Sequence, residues 1–139
     1  MALTTGAQRG PRAYHAEVGL RRESTSLACA LRGLAVAWRG HRHLRVEVAA
    51  AAVALAAGAV LGLSAAGWAV LVATITLVLV LETVNTAIEA AVDLASPGFH
   101  PLARKAKDTA AGAVLLAAAG SVVVGCVLFG PQLLAFAGL

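Results

Sequence analysis

The chain has 139 residues, of which 60% are apolar and only 13% charged, and its mean hydropathy is +0.83. Soluble domains carry about 25% charged residues, so this composition excludes disorder and an ordinary water-soluble fold, and the length fits one domain. The formal net charge of +4 comes from eleven Lys and Arg against seven Asp and Glu. No aromatic residues interleave with the arginines, so the charge reports membrane topology and anionic headgroups, with no nucleic acid as partner.

Residues 1–25 read as a mobile basic tail rich in Gly, Pro and Arg, with no early apolar run that would make a cleavable signal. Ser24-Thr-Ser26 offers a helix start, after which Leu27, Leu31, Leu34 and Trp38 recur at steps of four, three and four. This predicts an amphipathic helix on the membrane surface with Trp38 at headgroup level. His41 to Glu47 then carries the chain to the bilayer. Val48 to Leu81 is free of charge for 34 residues, and Thr109 to Leu139 is free of charge again. A span needs about 20 apolar residues, which predicts three transmembrane helices at 46–63, 68–93 and 109–129. Ser64 to Gly67 connects the first two, and Gly130-Pro131 ends the third, leaving 131–139 as a short tail. The fold class is thus an all-α integral membrane domain over 26–130.

Eight basic residues precede the first span and the other three, Arg104, Lys105 and Lys107, lie between the second and third. By the positive-inside rule the N-terminus and the 94–108 loop are cytoplasmic, in a multi-pass protein of a bacterial plasma membrane. Cys29 and Cys126 fall on opposite sides of the membrane and serve as small apolar fillers.

Glu82, Asn85, Glu89 and Asp93 interrupt the apolar run at offsets of 0, +3, +7 and +11. At about 100° per residue these four share one helix face. An acid at membrane depth costs roughly 2.5–3.5 kcal/mol, so several on one stripe point to use. Ser96-Pro97-Gly98 makes a turn, and His100-Pro101 opens a short helix holding Leu102 to Lys107, which places Lys107 and Asp108 at the mouth of the third span. Two carboxylates and a lysine are what a Mg-nucleotide needs: oxygen ligands for Mg²⁺ and a cation for phosphates. The deeper acid, Glu82, has the environment of a base for a hydroxyl. The set suggests transfer between a soluble nucleotide and a lipid-borne alcohol, although no P-loop or paired kinase motif is present.

The run Glu82-Thr-Val-Asn85-Thr-Ala-Ile-Glu89-Ala-Ala-Val-Asp93, with the later His100-Pro-Leu-Ala and Ala-Lys107-Asp108, resembles the small prokaryotic diacylglycerol kinase/undecaprenol kinase family over about 26–130. The form of the 93–116 stretch is similar to the undecaprenol kinase branch. The resemblance implies a homotrimer with sites between subunits, and direct transfer of ATP's γ-phosphate to a lipid hydroxyl, with Mg²⁺ as cofactor. It implies Glu82 as base, Asn85 positioning the hydroxyl or phosphate, Asp93 ordering the site and Glu89 as metal ligand. Gly98, Phe99, His100, Lys107 and Asp108 would bind the nucleotide. The family commonly places a metal-binding Glu where this chain has His41, and here the acid falls at Glu47. The second ligand is then His41 or Glu47, or the metal relies on Glu89 and phosphate oxygens. Undecaprenol is the expected acceptor, with diacylglycerol as the alternative in the same phospholipid chemistry. A non-catalytic membrane-binding or partner subunit and a small proton-coupled transporter are the readings from other classes.

Overall fold

The computed structural model describes residues 11–40, 42–136 and 138. Among them the chain is entirely helical: α1 is Pro11–Gly40, α2 Arg42–Val60, α3 Ala65–Ala95 and α4 Pro101–Phe136. The described residues up to Val36 form one compact unit and those from Ala37 onward a second. In the first unit the helix begins at Pro11, upstream of the expected Ser24 start. Proline suits the first helical position, where its fixed φ is already helical and no N–H is needed. Leu27, Leu31 and Leu34 are exposed along it.

In the second unit, α3 packs against both α2 and α4. All three helices are long and apolar enough to cross a membrane, so the chain is a multi-pass membrane protein. Their outward Val and Leu side chains are exposed, as a face toward hydrocarbon requires. Among the described residues there is no strand. An unclosed sheet would leave backbone groups unpaired in lipid, whereas a helix satisfies its own.

The spans differ from expectation at their ends. The first lies at Arg42–Val60 instead of 46–63 because Gly62 takes a left-handed φ of 69°. The Leu63 N–H then reaches back to the Gly58 carbonyl at 3.1 Å, which closes the helix in a Schellman turn. Ser64 opens α3 by accepting the Gly67 N–H at 3.2 Å, a standard N-cap. A side chain at Gly58 would meet Leu63 Cδ1 at 3.0 Å and Leu71 Cδ2 at 3.3 Å, so glycine lets α2 and α3 close on each other.

Two further corrections concern α4. The expected short helix of Leu102 to Lys107 is not separate: one helix of 36 residues runs from Pro101 to Phe136. Pro101 occupies its first position, His100 Nδ1 accepts the Leu102 N–H at 3.2 Å, and nothing between Lys107 and Thr109 breaks the ladder. Pro131 does not end the helix either. It removes one N–H donor, a loss that helices in membranes accommodate by local adjustment.

Gly58→Leu should lower the thermal midpoint in detergent by several degrees, since overpacking a close contact costs about 1–3 kcal/mol. Gly112→Leu, where a Cβ meets nothing within 4 Å, should leave the midpoint unchanged; equal effects would show that the α2–α3 contact is not tight.

Candidate functional site

The expected polar stripe lies on the second half of α3, and its burial falls steadily toward the helix end. Glu82 is 4% and Asn85 8% exposed, Glu89 is half-buried, and the Asp93 side chain is 66% exposed. At 1.5 Å per residue, Glu82 stands about 26 Å from the start of α3 at Ala65, Glu89 about 36 Å and Asp93 about 42 Å. A hydrocarbon core is about 30 Å thick. With Ala65 at one boundary, the stripe therefore crosses the other, with Glu82 inside it and Asp93 beyond.

Pairing follows helical spacing. Asn85 Nδ2 donates to Glu89 Oε1 at 3.1 Å, one turn later. Across the turn to α4, Lys107 Nζ donates to Asp93 Oδ1 at 2.7 Å, tying the two helix ends together. Asp108 turns instead to Arg104, 3.5 Å away on the previous turn of α4, and so does not join the Asp93–Lys107 pair. Ser96 caps the end of α3, its N–H donating to the Val92 carbonyl at 2.8 Å, and its hydroxyl donates to the Gly98 carbonyl at 3.3 Å. Gly98, Phe99 and His100 are exposed. His100 is committed through Nδ1 to capping α4, the helix that His100-Pro101 was expected to open.

Of the two candidates for a second metal ligand, His41 lies outside the described residues. Glu47 stands on α2 within electrostatic reach of Glu82 on α3 and of His43 on its own helix. Its Oε2 is buried without a hydrogen-bond partner, as are Asn85 Oδ1 and Thr86 Oγ1. Thr86 stands at +4 from Glu82, only about 40° round the helix, a position that a threonine in an apolar run does not advertise. Glu47 also lines an apolar groove of about 300 Å³ between α2, α3 and α4. The groove's Thr74 and Ser121 hydroxyls bond to the Val70 and Ala118 carbonyls of their own helices, which leaves Glu47 as its unspent polar group.

Among the described residues no three His, Cys, Asp or Glu converge as a metal cage. Mg²⁺ does not require one: it binds through one or two carboxylates, phosphate oxygens and water. The Glu89 carboxylate and the unpartnered Asn85 and Glu47 oxygens are hard donors of the right kind.

Three apolar helices with a graded acidic stripe at one end define a polytopic membrane protein whose polar chemistry lies at a membrane surface. The family model described as prokaryotic diacylglycerol kinase matches residues 28–129. The diacylglycerol kinase of Synechocystis sp. is 42% identical over 110 residues, covering 78% of this chain and 63% of that protein, so this chain spans less than two thirds of that relative. The undecaprenol kinase of Bacillus subtilis is 40% identical over 114 residues, covering 82% of this chain and 93% of that protein. The diacylglycerol kinase of Escherichia coli is 32% identical over 97 residues, covering 70% and 80%. This chain belongs to the prokaryotic diacylglycerol kinase family, a family of lipid kinases.

Because the Lys107–Asp93 bond is solvent-exposed, a double-mutant cycle with Lys107→Met and Asp93→Asn should give a stability coupling of no more than about 1 kcal/mol that shrinks at 1 M salt. A salt-independent coupling of several kcal/mol would show the pair to be shielded from water.

Proposed function

We propose that the protein phosphorylates a lipid hydroxyl with ATP at the cytoplasmic membrane face, and that the acceptor is undecaprenol. What carries the reading is one observation: a carboxylate 4% exposed, one turn from an amide 8% exposed, inside an apolar span of a lipid kinase family member. Glu82 takes the proton of the lipid hydroxyl. The alcohol oxygen bonds to the γ-phosphorus as the bond from that phosphorus to ADP's bridging oxygen breaks, with no phosphoenzyme between. Asn85 holds Glu89 in place through its amide. Lys107, fixed by Asp93, brings positive charge to the nucleotide side of the turn, where Asp108, Gly98, Phe99 and His100 border the nucleotide. Mg²⁺ bound with ATP would neutralise phosphate oxygens, held by Glu89 with Glu47 as the second carboxylate. The protein acts as a homotrimer with its N-terminus in the cytoplasm.

Undecaprenol is favoured because the match spans 93% of the undecaprenol kinase of Bacillus subtilis, and because the 93–116 stretch resembles that branch. The diacylglycerol reading is favoured by the 42% identity to the Synechocystis protein.

With purified protein, Mg-ATP and each lipid in mixed micelles, labelled phosphate should pass to undecaprenol with the higher kcat/KM. A preference for diacylglycerol reverses the choice of acceptor, and transfer to neither overturns the kinase reading. Glu82→Gln should lower kcat by about 10²–10⁴ without loss of helix content, the usual contribution of a positioned base; near-normal turnover would remove it from that role. Glu89→Gln should move the Mg²⁺ dependence to higher concentration, and an unchanged dependence would separate Glu89 from the metal.

A further inference from the structure

Four hydroxyls are half-buried within α3 and α4: Thr74, Thr83, Thr86 and Ser121. Three bond to carbonyls of their own helices, Thr74 to Val70 at 2.8 Å, Thr83 to Leu79 at 2.8 Å and Ser121 to Ala118 at 2.7 Å. This is how a hydroxyl hides in an apolar span. Thr86 alone does not. Its Oγ1 is buried and has no partner, and beside it Asn85 Oδ1 is buried and unpartnered too. A buried polar group left unpaired costs about 1–3 kcal/mol, and the Glu82 carbonyl, four residues back, is the counterpart of the bond that Thr74 and Thr83 make.

The position has a direction. Measured round the helix from Glu82, Thr86 lies at about +40°, some 20° beyond Asp93 at about +20° and on the other side of Glu82 from Glu89 at about −20°. It stands one turn after the proposed base and three residues before the proposed metal ligand. The other donor groups of the stripe each already hold a carboxylate, Asn85 Nδ2 that of Glu89 and Lys107 Nζ that of Asp93. Ionised carboxylates only accept. An alcohol that gives its proton to Glu82 still has oxygen lone pairs to satisfy in a dry site. The Thr86 hydroxyl is a buried donor beside this stripe that has no partner in the protein and can satisfy them.

We infer that Thr86 binds the acceptor alcohol, its hydroxyl donating to the lipid's hydroxyl oxygen and turning that oxygen's proton toward Glu82. The inference rests on the lipid-kinase reading and adds to it a residue that binds the acceptor alcohol in a hydrocarbon environment.

Thr86→Val keeps the shape and removes the hydroxyl; Thr86→Ser keeps the hydroxyl. The valine variant should lose about tenfold in kcat/KM for the lipid acceptor, the scale of one hydrogen bond, with the KM for ATP unchanged. Its thermal midpoint should hold or rise, because an unpaired buried hydroxyl is gone. The serine variant should stay within about threefold of wild type. A valine variant with wild-type kcat/KM for the lipid overturns the inference, as does a loss matched by a rise in the KM for ATP or by a fall in the midpoint. Those results leave the kinase reading standing if wild type phosphorylates a lipid alcohol. A wild type inactive on both alcohols fails the kinase reading and takes this assignment with it.

Discussion

Hydrocarbon makes no hydrogen bonds, and the arrangement of this protein depends on that. It forces the backbone into helices, which spend every interior N–H and C=O on themselves. It also makes each polar side chain within a span a liability until something pairs with it. Most hydroxyls in α3 and α4 meet the demand by bonding to the preceding turn. The demand is met incompletely at Gln132 near the end of α4 and, in a cluster, on the second half of α3, with unpaired oxygens on Asn85 and Thr86, and on Glu47 from the neighbouring helix. Unspent hydrogen-bonding capacity in a dry place is what a binding site for polar reactants consists of.

Helix α3 organises the second unit because it packs on both α2 and α4. Its start is fixed by the Ser64 cap and the Gly62 turn, its end by Ser96 and by the Lys107–Asp93 bond. Helix α4 continues without a break from Pro101 through its span, so Lys107 is mounted on a stiff element. A cation on a flexible loop would lose more side-chain and backbone freedom on meeting a phosphate. The price in stability is small, since the exposed pair that holds it is itself weak.

Much of this was legible in the sequence. Charge-free runs gave the three spans, and the 3.6-residue period put Glu82, Asn85, Glu89 and Asp93 on one face in the order of burial they show. Side-chain partnerships were not legible. Asp108 stands next to Lys107 in the chain, yet its spacing of four from Arg104 decides its partner. The Pro131 stop failed because a proline removes one bond without ending a helix whose remaining turns are apolar and continuous. Thr86 carries no signal in the sequence because a threonine in a span ordinarily conceals its hydroxyl, and only the structure distinguishes a half-buried one that does not.

The distance from the capped start of α3 to Glu82 is set by the chain, while the thickness of the surrounding bilayer is set by its lipids. About 26 Å of helix against a core of about 30 Å leaves Glu82 only a few ångströms below the headgroups. Membranes differ in thickness by a few ångströms, and a helix answers mismatch by tilting or by deforming the bilayer at modest cost. The water that reaches this carboxylate is therefore partly a property of the membrane. Shorter acyl chains bring the headgroups down to it, and longer ones draw it deeper, so lipid composition tunes the site with no ligand bound to the protein.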